Sequence, residues 1–144
     1  MEHQPEISIN TATKAEIKTI IERLNTFNLA HHPAKAAMWT PLEFVMRDDN
    51  GQAIGGVLGG IGYWNGLEIK ILWVTESQRN QGYGTQLLEH MEEEAKRKGA
   101  EISMLDTFDF QAEGFYLKHG YQAIGEIMDF PKGHRRTYFS KKLL

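Results

Sequence analysis

The stretch VTESQRNQGYG, Val74 to Gly84, decides how this chain is read. An apolar run from Ile69 closes at Val74, polar residues turn the chain, and Gly82 and Gly84 flank Tyr83 just before a segment with helical spacing. Glycines at such a turn permit unusual φ and close approach, and the helix that follows aims free N–H groups and its positive dipole end outward. These residues suit a pyrophosphate held by backbone amides, with Arg79 adding a fixed charge. Two other glycine-rich sites fit less well. A Walker A loop closes on Gly-Lys-Ser/Thr, whereas Gly84 is followed by Thr85-Gln86. A dinucleotide fingerprint needs a small residue three positions after its second glycine, and Leu87 stands there. For a lone Gly-x-Gly, a plain turn would be the favoured reading.

Outward from this stretch the elements follow in order. EISINTA alternates Ile7 and Ile9 with polar residues, as a short strand does. Thr13 to Leu29 predicts a helix, with Ile17, Ile20, Ile21, Leu24 and Phe27 at helical spacing and Thr13 with Glu16 as a capping box. LAHHPAKAAMWTP reads as a connector with room for a short helix. From Leu42 to Val74 the pattern is a run of strands turned at Asp49-Asn50-Gly51 and Asn65-Gly66. Leu87, Leu88, Met91 and Ala95 stripe the next helix, which ends in Lys96-Arg97-Lys98 and Gly99. A strand, ISMLDTF, a short helix from Ala112 to His119, and two strands joined by Pro131-Lys132-Gly133 complete the chain. The order β-α-(α)-β-β-β-α-β-α-β-β implies an α/β fold: a mixed, mostly antiparallel sheet with helices on its faces, in a single domain over residues 1–144.

Composition narrows the function classes. The 144 residues are 41% hydrophobic and 24% charged, a globular mixture, and the net charge of −3 gives no general attraction to nucleic acid or anionic membrane. With no cysteine there is no thiol nucleophile and no disulfide. MEHQPEISIN lacks the basic and apolar regions of a signal peptide, and no window approaches the ~20 apolar residues of a membrane span. A cytoplasmic protein is the default expectation. His31 and His32 are adjacent without a Cys or acidic ligand cluster, so a helix-end polar pair is favoured over a metal site.

The glycine turn has a companion downstream, DFQAEGFYLKHGY, Asp109 to Tyr121. With it, the chain resembles the GNAT superfamily of acyl-CoA-dependent N-acetyltransferases from Val45 to Leu144, and by element order in the first helix. ILWVTESQRNQGYGTQLLEHMEEEAKRKG is similar to the family's acetyl-CoA motif, with its Gln/Arg-x-x-Gly-x-Gly/Ala core. Asp109, where the family often has Asn, and Glu76-Ser77, where a proline is common, depart from the pattern. The resemblance implies acetyl-CoA between two splaying central strands. Backbone at Leu72, Trp73 and Val74 would pair with the pantetheine arm, and amides from Arg79, Asn80, Gln81, Gly82, Tyr83, Gly84 and Thr85 would take the pyrophosphate. Asp109 and Tyr116 would complete the cofactor side, and the Val74 amide would stand near the thioester carbonyl. Independently, Ile69 to Val74 is apolar except for Lys70, which reads as a strand buried on both faces.

Transfer of an acetyl group to an amine needs a neutral amine, donors for the oxyanion and an acid for the leaving thiolate. Tyr116 matches the family's tyrosine near the coenzyme A sulfur, against the plain alternative of an aromatic packed with Phe115. For the base, the candidates are His134 after the hairpin turn, Glu68, which by period two shares a strand face with Lys70 and Leu72, and His31 and His32 in the connector. An exposed hairpin histidine and a solvated glutamate are the bland alternatives. Among the aromatic residues, Trp39, Trp64, Trp73, Tyr63 and Phe108 stand out, and Trp39 lies in the connector that borders the acceptor site in this family. The expected function is acetyl transfer from acetyl-CoA to a small-molecule primary amine, by direct attack in a ternary complex and without metal. A protein lysine or N-terminal acetyltransferase and a non-catalytic acyl-CoA-binding module are the alternatives. Neither a nucleic-acid nor a membrane partner is expected, and pairing into a homodimer, common in the family, stays open.

Overall fold

A computed structural model describes residues 5–144, in two compact units that meet in sequence at Ala34 and Lys35. In the first unit, α1 spans Lys14–His31. Thr13 caps it through the expected box: its hydroxyl accepts from the Glu16 N–H at 3.2 Å, and its own N–H donates to the Glu16 carboxylate at 2.9 Å. Pro33 restricts the residue before it, and His32 is extended, so the helix stops at His31. Two local expectations differ here. Residues 5–13 form no strand, because alternation chooses a face but a strand also needs a neighbour to pair with. Residues 32–38 form bends in place of a second helix.

The second unit is built on a six-stranded sheet in the order β1-β2-β3-β4-β6-β5. Its strands are β1 (Trp39–Arg47), β2 (Ala53–Gly62), β3 (Gly66–Val74), β4 (Ile102–Phe108), β5 (Gln122–Met128) and β6 (Arg135–Lys142). Every neighbouring pair is antiparallel except β3 with β4. The first hairpin closes where the Asp48 carboxylate accepts the N–H groups of Asn50 at 2.9 Å and Gln52 at 3.0 Å, and the second where Asn65 takes positive φ.

Helix α2 (Tyr83–Arg97) covers one face of β1 to β3. Its predicted stripe of Leu87, Leu88, Met91 and Ala95 is buried with Val57, Ile61, Leu67, Ile69 and Leu105. Glu92 is buried too, and both its oxygens are occupied. One accepts from the Tyr121 hydroxyl at 2.8 Å and the other from Lys141 Nζ at 2.8 Å, while Ser103 shares a 2.7 Å hydrogen bond with Tyr121. This network ties α2 to β4, β6 and the segment after α3 (Glu113–Lys118). Each polar group has a partner, as burial requires.

Strand β3 is not buried on both faces: Ile71 and Trp73 are 53% and 58% exposed. Its register explains the pattern. Ile69 pairs with Gly59 and Ile71 with Leu58, so Lys70 is an extra residue, a bulge. Alternation therefore changes phase at Lys70. Leu67 and Ile69 lie inward before it, and Leu72 and Val74, half-buried against the core, lie inward after it. Glu68 and Leu72 consequently occupy opposite faces, a correction to their predicted shared face.

Candidate active site

Strands β3 and β4 pair only at Gly66–Ile102, Leu67–Ser103 and Glu68–Met104. Beyond Glu68 they part, and a cleft of about 1060 Å³ opens between Ile69–Val74 on one side and Leu105–Thr107 on the other. Backbone on the β3 side is left without a strand partner. The Thr75 N–H donates to Ile54 O on β2 at 2.8 Å, so by strand alternation the N–H and C=O of Val74 and of Leu72 point into the cleft. Arg79 confirms that direction, its Nε donating to Val74 O at 3.0 Å. The Arg79 guanidinium also lies 4.4 Å from the Trp73 ring centroid.

One end of the cleft is the turn into α2. A short 3-10 turn, Glu76–Gln78, leads to Asn80 and Gly82, both at positive φ, and Gly82 caps the helix. The first intrahelical bond runs from the Gln86 N–H to Gly82 O at 3.1 Å, which leaves the amides of Tyr83, Gly84 and Thr85 ahead of it without helical acceptors. No acidic residue stands in this first turn, so its positive end is not neutralised. Gly84 is already inside the helix. A Cβ there would meet only the Phe115 ring at 3.5 Å, so the space beside its amide belongs to the cleft. A free strand edge leading to unpartnered amides fits a long ligand ending in a pyrophosphate.

His119, just past the end of α3, ties the two helices at this end together. A carbonyl only accepts, so His119 Nδ1 carries the hydrogen that it donates to Phe115 O at 2.8 Å. In the neutral ring Nε2 then accepts from the Thr85 hydroxyl at 3.0 Å.

Tyr116 of α3 lines the cleft wall, 6% exposed, with its ring between Phe115, Tyr121 and Phe139. Burial pushes its phenol up to about 12, and the Asp106 carboxylate adds to the shift, so the hydroxyl keeps its proton at neutral pH. None of the hydrogen bonds among the described residues engages that hydroxyl.

The facing wall of the cleft closes on side chains where β4 ends and β6 begins, at the same edge of the sheet as the turn into α2, since β3 and β4 run parallel. Asp109 and Phe110 line it, and His134 stands behind them, with Nδ1 2.8 Å from Asp109 Oδ1. The Phe110 ring stacks on Phe108 and meets the His134 ring edge-on at 5.1 Å. The basic neighbours of His134 are engaged elsewhere. Arg135 donates to both Glu113 oxygens, at 3.1 and 2.7 Å, and Arg136 to Asp106 at 2.7 Å. That fork holds the Glu113 carboxyl below the usual carboxylate range, with help from the Thr137 hydroxyl.

Of the residues singled out in sequence, Leu72, Trp73, Val74, Arg79, Asn80, Gly82, Tyr83, Gly84, Thr85, Asp109 and Tyr116 line this one cleft. Gln81 is exposed outside it, and Glu68 lies on the exposed face at the last closed pair with Met104. Trp39 begins β1 with Lys70 Nζ 4.7 Å from its ring centroid, and it is not among the cleft residues. His31 and His32 end α1 in the first unit.

Comparison with known proteins agrees with this architecture. The Acetyltransferase (GNAT) family profile matches residues 15–121. Blasticidin-S acetyltransferase of Streptomyces morookaense is 33% identical over 134 residues, covering 85% of this chain and 98% of that protein. The crystal structure of an acetyltransferase from Bacillus cereus ATCC 14579 is 36% identical, with a TM-score of 0.87 over 94% of this chain and 97% of its own. An aminoglycoside 6'-N-acetyltransferase complexed with coenzyme A shares the fold at 17% identity, with a TM-score of 0.65 over 92% of this chain and 82% of its own. On its sequence, its split sheet and these relatives, the chain belongs to the GNAT family of acetyltransferases.

Proposed function

We propose that this acetyltransferase moves the acetyl group of acetyl-CoA to a primary amine of a small molecule, by direct attack while both are bound. The observation that carries the proposal is the opening of the sheet beyond the Glu68–Met104 pair. It joins an unpaired strand edge, a set of free helix-start amides and a buried phenol in one cleft. Relatives whose names specify blasticidin S and aminoglycosides as acceptors support a small-molecule amine.

Acetyl-CoA supplies an acyl group activated as a thioester. The cleft-facing backbone of Leu72 and Val74 lies along the pantetheine arm, and the amides at the start of α2, with Arg79, take the pyrophosphate. The Val74 N–H faces the position where charge develops on the carbonyl oxygen. Tyr116, held protonated, donates to the leaving sulfur, and His134 Nε2 takes the amine's proton, directly or through a water.

Purified protein with acetyl-CoA and a panel of amines tests this. The panel holds aminoglycosides, amino-nucleosides, simple polyamines and a lysine peptide, with thiol release and product mass followed together. Turnover with a mass increase of one acetyl group on a small amine is expected. Acetylation of the peptide alone would reassign the acceptor, and binding of coenzyme A without transfer to any amine would leave an acyl-CoA-binding module.

A further inference from the structure

Asp109 lies where the family resemblance suggests a cofactor contact, yet its carboxylate is spent on the β4–β6 wall of the cleft. Oδ1 is 2.8 Å from His134 Nδ1, and Oδ2 accepts the Arg135 N–H at 3.2 Å. The Asp109 N–H in turn donates to Arg135 O at 3.0 Å. Both oxygens are thus fixed by His134 and Arg135, 25 and 26 residues away in the chain.

We propose that Asp109 is a positioning residue for the amine-accepting side of the cleft, locking the His134 ring so that Nε2 faces the acceptor with a free lone pair. This rests on the reading of His134 as the base given above. The ionised carboxylate can only accept, so Nδ1 must carry the hydrogen, and the neutral ring is left with an acceptor at Nε2. None of the hydrogen bonds among the described residues uses Nε2. The backbone fixes the ring further, since the His134 N–H donates to Pro131 O at 2.8 Å and its C=O accepts from the Asp129 N–H at 2.8 Å. Phe110 meets the ring edge-on, which sets its plane.

Charge around the pair favours this partnership. Arg135 is occupied by Glu113 and lies 3.7 Å from Glu126, Arg136 is occupied by Asp106, and Asp129 Oδ1 accepts the Gly133 N–H at 3.3 Å. Asp109 is therefore the carboxylate committed to His134 among the described residues. When His134 takes a proton from the amine, the carboxylate stands 2.8 Å from the new charge.

The experiment compares Asp109→Asn, His134→Ala and the double variant. Asp109→Asn keeps the shape and removes the charge. It should lower kcat/KM for the amine by about ten- to a hundredfold near neutral pH and move the acidic limb of the pH profile, with coenzyme A affinity unchanged. In the His134→Ala background it should add no further loss, because Asp109 acts through the ring. A full additive loss, or weakened coenzyme A binding with an undisturbed pH profile, would overturn the proposal in favour of a cofactor contact. A wild-type profile in His134→Ala alone would instead remove the base reading and the proposal with it. Nitrogen-15 spectra of the unmutated protein give a readout that no folding defect can obscure. His134 should show a protonated Nδ1 and a bare Nε2 in its neutral form, and the reverse tautomer would overturn the proposal.

Discussion

The two halves of the β3–β4 seam differ in every physical respect. From Gly66 to Glu68 the strands are zipped, and behind them lie Leu67, the buried Ser103 and the saturated network of Tyr121, Glu92 and Lys141. From Ile69 onward the strands are apart, backbone groups face open space, and Ile71 and Trp73 are more than half exposed. One half holds the fold and the other offers a surface. Substitutions should therefore separate into those that change stability and those that change binding or rate.

The largest effect belongs to the zipped half. Glu92→Ala removes the shared acceptor of Tyr121 and Lys141. It should cost about 3 kcal/mol of stability, discounted from a fully buried pair because Lys141 is partly exposed. Urea denaturation measures it, and coenzyme A affinity of the remaining folded protein should not change. A similar loss of affinity would show that the halves are coupled. Next comes Tyr116→Phe, which keeps the ring packing and removes the proposed acid. A ~10²-fold fall in kcat, about 2.7 kcal/mol, is expected with unchanged coenzyme A binding. An unaltered kcat in a chemistry-limited assay would return Tyr116 to the packing half.

Gly84→Val should be the converse of Glu92→Ala. Its side chain would project beside the free amide, where the protein offers only the Phe115 ring at 3.5 Å. Calorimetry should show coenzyme A binding weakened about tenfold or more, roughly 1.4 kcal/mol, with thermal stability nearly unchanged. Undiminished affinity would remove the phosphate-cradle reading. The smallest effect is a titration. The Tyr116 phenol is raised from 10.0 to about 12 in the fold, so its contribution to stability is complete below pH 10 and lost as pH climbs through 12. By pH 10.5 the unmutated protein should lose under about 1 kcal/mol relative to Tyr116→Phe, the comparison cancelling the likewise burial-raised Tyr121. Parallel curves would contradict the burial of that hydroxyl.

Local signals in the sequence were legible because each is decided within a few residues. The Thr13–Glu16 box, the Asp49-Asn50-Gly51 turn and the apolar stripe of α2 all follow from short-range geometry. So does the glycine turn, whose amides are aimed by the helix that they begin. The strand expected at Ile7 and Ile9 is absent because nothing local specifies its partner. The β4–β6 wall of the cleft was hidden for a related reason. Asp109 and His134 are 25 residues apart, and Thr85 and His119 are 34 apart, so each pair exists only after the sheet has formed. The antiparallel pairing of β4 with β6 would have disclosed the first pair, since it brings the end of one strand beside the start of the other.

Lys70 works as a frameshift written into a strand. Counted from Gly66, period two would send Leu72 and Val74 outward and turn Ile71 and Trp73 toward α2. The inserted residue moves every later side chain to the opposite parity. Deleting Lys70 would restore an unbroken count and leave every later residue opposite its present β2 partner, Ile71 with Leu58 and Leu72 with Val57, so the β3 wall of the cleft would keep its face. A one-residue deletion at this point is therefore a milder edit than flattening the bulge with Lys70 still in the chain, which would exchange the β3 wall of the cleft for its reverse side.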